Sequence, residues 1–316
     1  MPPIPPSTVD SGLLLAALAL VYPLLTLLAT LRPRREIWRR GPARAVTVLK
    51  PLHGTEPHLR ENLRSHFTQA ATTPMQLLFG LRSADDPAAD IVRRLQAEFP
   101  QVDAQLLVDS TTHGINGKVG NLINLLPHAR HDWLLVTDAD VSLTADDLRR
   151  ICAPLADPGV GVVTCLYHGR PLGGLWTRLG ALFIDDWFVP AARLAHRLGR
   201  NDFGFGAAMA LRRDALDKIG GFRALADCLA DDYWLAALIR RHGLRTVLSE
   251  VVVTTDVSET RGLDVWRREL RGCAPSVRSA PGATRRCWSR SRCRSPCSGW
   301  RWPRMRPLPC SAAAPS

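Results

Sequence analysis

The sequence predicts an α/β domain with a mostly parallel sheet, preceded by a transmembrane helix. Three observations predict it. Short apolar runs alternate with amphipathic stretches of helical length between Ala45 and Thr164. An uninterrupted apolar segment, residues 13–31, stands before them. Acidic residues fall just beyond two of the apolar runs, where parallel sheets place their ligands.

The apolar segment reads LLLAALALVYPLLTLLATL and contains no charge. That length crosses a hydrocarbon core of about 30 Å at about 1.5 Å per residue. Pro23 is tolerated within such a helix. A cleaved signal peptide would want a basic leader, and MPPIPPSTVD has none. RPRREIWRR follows directly, and arginines mark the cytoplasmic side. A transmembrane helix over 11–31 is therefore expected, with the following domain on the cytoplasmic face of a bacterial inner membrane.

Within the body, Val46–Leu49 reads as a strand that ends at Lys50-Pro51, and Glu56 to Phe67 as a helix. Met75–Leu81 is a second strand, followed by a helix from Pro87 to Phe99 with proline at its first turn. Ala104–Val108 and a helix from Lys118 to Leu126 come next, then Trp133–Thr137 and a helix from Ala145 to Leu155. Val160–Thr164 is a fifth strand. Leu175 to Leu198, with Trp176, Phe183, Trp187 and Phe188, suits a helix that packs on the core or lies along a bilayer. Phe203-Gly-Phe-Gly-Ala offers backbone that a ligand can approach closely, or a turn.

The formal net charge of +12 suggests an anionic partner until it is located. No acidic residue follows Glu269, while ten arginines lie between Arg271 and Arg306. The body is nearly balanced, and no nucleic-acid partner is expected. Three of the eight cysteines, Cys152, Cys165 and Cys228, are scattered through the body without zinc-ligand spacing. They read as free thiols.

Three acidic clusters carry the chemistry: Asp85-Asp86, Asp138-Ala-Asp140 and Asp231-Asp232. Asp85 also suits a turn and Asp231 a helix cap. Asp138-Ala-Asp140 directly follows four strand residues, so both carboxylates can reach one ligand. Hard divalent cations take oxygen ligands and bridge phosphates, and a diphosphate leaving group needs its charge neutralised. Attack by a hydroxyl on an anomeric carbon also needs a carboxylate base. A later aspartate can supply it.

With these residues placed, the chain resembles a known family. VTVLKPLHGTEP, RSADDPAADIV, GINGKVGNL, LLVTDADV and LADDYWLA occur in the order seen in ceramide-glucosyltransferase-like enzymes of glycosyltransferase families 2 and 21. The bacterial hopanoid-biosynthesis glycosyltransferases look most similar. The resemblance covers roughly residues 10 to 271. It implies a GT-A fold, a nucleotide-diphospho-sugar transferase domain over 42–271, and inverting transfer of a hexose or N-acetylhexosamine from a UDP-sugar to a membrane lipid hydroxyl, hopanoid or ceramide-like. It implies Mg²⁺ or Mn²⁺ as cofactor. Asp86 and Lys118 match nucleotide-sugar positions, and Asp138 and Asp140 the metal and nucleotide-sugar motif. Asp232 matches the catalytic base. The family's Arg/Gln-x-x-Arg-Trp motif for acceptor and diphosphate is met by Arg268 and Arg271, but Gly272 stands where tryptophan belongs. A polysaccharide synthase shares the donor chemistry and is the alternative, together with an inactive truncated product.

Residues 272–316 show neither strand nor helix periodicity. In the frame beginning one base earlier, each Cys or Trp codon gives Leu, Val or Met, and GC-rich codons turn 285–303 into a Leu/Ala run. A frameshift near 271–282 that replaced C-terminal membrane helices by a disordered tail is the expectation.

Overall fold

The computed structural model describes residues 20–28, 31 and 44–273, with side chains to 268. Its core is one eight-stranded sheet. The strands are β1 (Val46–Pro51), β2 (Met75–Leu81), β3 (Asp103–Val108), β4 (Trp133–Thr137), β5 (Val141–Ser142), β6 (Val160–Pro171), β7 (Ala208–Arg212) and β8 (Arg245–Val257). Their spatial order is β3-β2-β1-β4-β7-β6-β8-β5.

The first half is parallel, with Val46 of β1 opposite both Met75 and Trp133. β2 is buried along its whole length and β1 along nearly all of it, as expected for strands covered on both faces. The second half departs from the expectation. β7 runs antiparallel to both β4 and β6, and β5 antiparallel to β8, so the sheet is mixed. β6 and β8 pair in parallel over twelve and thirteen residues, with two register shifts. The expected fifth strand thus runs on past Thr164 to Pro171.

Helices α1 (Leu59–Phe67), α2 (Ala88–Glu98) and α4 (Asp147–Cys152) cover one face through Leu63, Phe67, Val92, Leu95, Leu148 and Ile151. Helices α3 (Gly117–Leu125), α7 (Arg213–Lys218) and α8 (Asp231–Arg241) cover the other through Leu122, Leu125, Leu216, Leu235 and Ile239. Each fully buried leucine or phenylalanine contributes roughly 1.5–3 kcal/mol. The stretch from Leu175 is helical throughout. It comprises α5 (Leu175–Leu182), one π-helical segment (Phe183–Phe188) and α6 (Val189–Arg197). Ala181, Ile184, Val189 and Ala192 pack it on Leu166 and Val257. A last helix, α9 (Gly262–Cys273), continues two residues beyond the expected domain end at 271.

The described part of the expected transmembrane segment, 20–28, is helical, with Leu20, Leu24, Leu25, Leu27 and Leu28 exposed. Among the described residues no helix is long and apolar enough to cross a membrane. Most of the segment, and the tail from 274 onward, lie outside them. Cys152 and Cys165 are buried free thiols, with burial raising both pKa values. Cys228 is disulfide-bonded, against the free-thiol expectation.

Candidate active site

The parallel half of the sheet delivers its loops to one edge, beyond the carboxyl ends of β1, β2 and β4. The loop after β4 carries Asp138 and Asp140. One buried side chain fixes it. Lys50 is fully buried at the end of β1. Its Nζ donates to the carbonyls of Asp138 at 2.7 Å and Val141 at 3.2 Å, and to Thr137 Oγ1 at 3.3 Å. It also meets His66 Nε2 at 3.3 Å. His66 is held neutral, since burial and the Lys50 charge push its pKa well below normal. Its Nδ1 lies 2.9 Å from the carbonyl of Asn62 and so carries the proton, which leaves Nε2 as an acceptor. Burial lowers the Lys50 pKa to about 7, against the raising influence of Asp140, Asp138 and Glu56. Sequence reasoning took Lys50 only as a strand end. Its signal was a rare lysine closing an apolar run.

Asp140 is tied to the last strand. Its Oδ2 accepts from Thr255 Oγ1 at 2.6 Å, and its carbonyl from the Asp256 amide at 3.2 Å. Asp256 is in turn held by Arg170 at 2.6 Å and Asn62 at 2.8 Å. Burial, then the charge of Asp138, raises the Asp140 pKa. Glu56 rises to about 7 through burial and the same two aspartates.

Asp138 has a different set of partners. Its Oδ1 lies 2.5 Å from Lys118 Nζ, and Asp231 Oδ2 is 3.8 Å from the same ammonium. Burial alone would lower the Lys118 pKa, but Asp138, Asp231 and Asp232 more than reverse it and hold the side chain charged. Lys118 sits in the first turn of α3, whose cap is Asn116. The Asn116 Oδ1 accepts from the Val119 amide at 3.1 Å. Its Nδ2 reaches Asp231 Oδ1 at 3.2 Å and the Cys228 carbonyl at 2.8 Å. Asp231 is thus not the cap of α8 but a partner of Asn116 and Lys118.

Asp232 is the second residue of α8, beside the segment Phe203–Ala207. A Cβ on Gly204 would lie 2.5 Å from the Asp232 carbonyl oxygen, and one on Gly206 would lie 3.1 Å from Asp232 Oδ2. At Gly204 only glycine allows this approach, while at Gly206 an added methyl would press on the Asp232 side chain. Burial, followed by Asp231, raises the Asp232 pKa to about 6, despite the hydrogen bond it accepts from the Tyr233 amide at 2.7 Å. The phenylalanines of this segment form a ladder. Phe203 stacks on Phe205 at 4.9 Å, and Phe205 meets Phe188 edge-on at 5.1 Å.

Asp86 stands apart, in the loop after β2. Its Oδ2 accepts from the Gly54 amide and its Oδ1 from the Ala88 amide, both at 2.9 Å. It therefore fastens the loop after β1 to the start of α2. Asp85 is exposed, with its amide on Ser83 Oγ, in the turn role. Arg268 is engaged by Glu259 at 2.9 Å and donates to the Gly180 carbonyl at 3.2 Å. The side chain of Arg271 lies outside those described.

The structure therefore brings Lys118, Asp138, Asp231 and Asp232 together, with Asp140 on the same loop. Among the described residues no three His, Cys, Asp or Glu side chains converge as a metal cage. Asp138 and Asp140 nevertheless suit a hard cation. They are oxygen donors, one residue apart, whose crowding already disfavours ionisation of Asp140. A cation held by two carboxylates keeps coordination positions for phosphate oxygens.

Known proteins resemble this chain over most of its length. Ceramide glucosyltransferase 1 of Caenorhabditis elegans is 26% identical over 205 residues, 65% of this chain and 44% of that protein. Ceramide glucosyltransferase of Candida albicans is 33% identical over 115 residues, 33% of this chain and 21% of that protein. This chain thus spans less than half the length of these relatives. In three dimensions it resembles a mannosyltransferase from Pyrobaculum calidifontis, solved with GDP-Man and Mn²⁺. The TM-score is 0.59 at 25% identity, covering 81% of this chain and 71% of that one. The family model for glycosyl transferase family 21 matches residues 12–284, and the chain belongs to that family.

Proposed function

We propose that this protein is an inverting, metal-dependent glycosyltransferase that moves a hexose or N-acetylhexosamine from a UDP-sugar to a hydroxyl of a membrane lipid, hopanoid or ceramide-like. The observation that carries the reading is the Lys118 cluster. One cation, Asp138 on one side and Asp231-Asp232 on the other are held together at the edge where α/β sheets bind nucleotides.

Asp232 is the base. A carboxylate with a pKa of about 6 is ionised at neutral pH yet basic enough to take the acceptor proton. The acceptor oxygen then attacks the anomeric carbon on the face opposite the diphosphate, and the configuration inverts as the carbon–oxygen bond to the diphosphate breaks. Lys118 offers its charge to that leaving group. Asp138 and Asp140 would hold Mg²⁺ or Mn²⁺, which neutralises the diphosphate. Lys50 fixes the backbone of the loop that carries both carboxylates, and Asp86 keeps the loop after β1 closed on α2. Arg268 and Arg271 are assigned to the acceptor and diphosphate by their place in the Arg-x-x-Arg motif. Residues 11–31 anchor the chain in a bacterial inner membrane, with the catalytic domain cytoplasmic.

The test is turnover by detergent-solubilised full-length protein with UDP-glucose, UDP-N-acetylglucosamine or GDP-mannose. Each is paired with hopanoid or ceramide acceptors, in Mg²⁺, Mn²⁺ or chelator. Transfer from a UDP-sugar, abolished by chelator and by Asp232→Asn, is expected. Full turnover by Asp232→Asn would remove the base assignment, and preference for GDP-mannose would remove the donor.

A further inference from the structure

The helix from Leu175 to Arg197 carries large apolar side chains on its exposed side as well as its buried one. Its inner side, Thr177, Gly180, Ala181, Ile184 and Val189, is buried against the sheet. So close is the approach that a Cβ on Gly169 would lie 2.8 Å from the Ala181 Cα. Its outer side carries Leu175, Trp176, Leu179, Leu182, Phe183 and Trp187, all exposed, with Trp187 at 53%. A helix on a water-facing surface presents polar residues outward. Here eight residues between Leu175 and Trp187 are exposed, and six of them are these large apolar ones, with Arg178 and Asp186 the other two.

This face is continuous with two others. Tyr22 of the N-terminal apolar helix packs on Trp187 with ring centroids 5.1 Å apart, and Arg197 donates to the Leu28 carbonyl at 3.2 Å. At the opposite end, Trp176 lies against Gly262, where a Cβ would come within 2.8 Å of its ring. There α9 begins, adding exposed Leu263 and Trp266. Contiguous apolar surface of this kind marks an interaction site. Tryptophans spread along it, with the arginines Arg178 and Arg267 beside them, match the membrane–water boundary. Its continuity with the uncharged helical residues 20–28, through Tyr22 and Leu28, selects lipid as the occupant.

We infer that the outer side of Leu175–Arg197, together with the start of α9, is a second membrane contact that seats the catalytic domain on the bilayer surface. The inference rests on the lipid-acceptor reading for its purpose. Phe188, on the same helix, meets Phe205, whose neighbour Gly206 lies against Asp232, so a chain of contacts joins the seat to the proposed base.

The experiment uses full-length protein in phosphatidylcholine/phosphatidylglycerol nanodiscs, one copy per disc, with and without lipids brominated near the headgroup. Tryptophan emission is compared among wild type, Trp187→Phe, Trp266→Phe and the buried control Trp133→Phe. Loss of bromine-quenched emission in Trp187→Phe and Trp266→Phe, but not in Trp133→Phe, is expected. Quenching that is the same in all three variants overturns the seat. Quenching absent in single-copy discs, with these tryptophans shielded only at two copies per disc, makes the face a dimer interface and also overturns it. In parallel, Leu179→Glu with Leu182→Glu should raise KM for vesicle-borne acceptor at least about tenfold, about 1.4 kcal/mol, and leave KM for the nucleotide-sugar unchanged. An acceptor KM unchanged from wild type in that variant refutes the seat. Absence of transfer by wild-type protein refutes the proposed activity instead, and the quenching result stands on its own.

Discussion

Asp232→Asn should make the protein inactive and more stable at once. The Asp232 carboxyl is raised from an ordinary 3.8 to about 6, chiefly by burial and by Asp231. Between those values the folded protein holds a proton that the unfolded chain has released, so stability falls as pH rises through the window. Above about pH 6 the full penalty is present. A shift of this size corresponds to roughly 3 kcal/mol. Asparagine removes the charge but keeps an oxygen to accept from the Tyr233 amide. The variant should therefore melt up to about 6–12 °C higher at pH 8, at roughly 2–4 °C per kcal/mol. Below pH 4 the two proteins should coincide. Differential scanning calorimetry at pH 4, 6 and 8 reads the difference, and turnover on the same samples should be lost. Equal melting temperatures at pH 8, or a gap that persists at pH 4, would show that the carboxylate is not held against its ionisation.

The remaining predictions concern its neighbours. Asp140→Asn should weaken Mn²⁺ binding by at least about tenfold, a loss of one charged ligand worth more than about 1.4 kcal/mol, as read by Mn²⁺ electron paramagnetic resonance. Wild-type affinity should also fall on acidification, because the raised Asp140 pKa means its proton competes with the metal. Lys50→Met removes the shared donor of the Asp138 and Val141 carbonyls, so amide exchange across 138–142 should accelerate while β2 stays protected. Gly204→Ala should cost about 1–3 kcal/mol of stability by overpacking, because its Cβ meets a backbone oxygen at 2.5 Å. Gly206→Ala meets only the movable Asp232 carboxylate, at 3.1 Å. It should lower turnover with little change in melting temperature.

How far the sequence foretold this molecule depends on how local each determinant is. β1, β2 and β4 are short apolar runs bounded by polar turns, and their positions follow from pattern alone. β7, Ala208–Arg212, has no β-branched residue, and its antiparallel direction follows from long connections that leave no local mark. The clustering of Lys118 with Asp138 and Asp231 was approached only through motif order, since separations of 20 and 113 residues carry no periodicity. Lys50 and the Thr255–Asp256–Arg170–Asn62 support of Asp140 went unread for the same reason. A buried polar network is specified by partners distant in sequence, and each member alone resembles an ordinary strand or helix residue. Asp231 illustrates the converse. Its place at a helix start favours a cap, but Asn116 and Lys118 claim its carboxylate in space.

The segment Phe203–Ala207 has two unlike neighbours. Gly204 and Gly206 bring bare backbone against an ionisable carboxyl, while Phe205 between them turns its ring to the aromatic ladder. Thr164 secures this arrangement from both ends of one residue. Its hydroxyl accepts from the Phe205 amide at 2.7 Å and donates to the Phe205 carbonyl at 2.9 Å. An ionisable carboxyl and an aromatic cluster are thereby set within one residue of each other, held by a single hydroxyl. Replacing that hydroxyl with a methyl, as in Thr164→Val, would leave the shape of the strand intact and release the boundary itself.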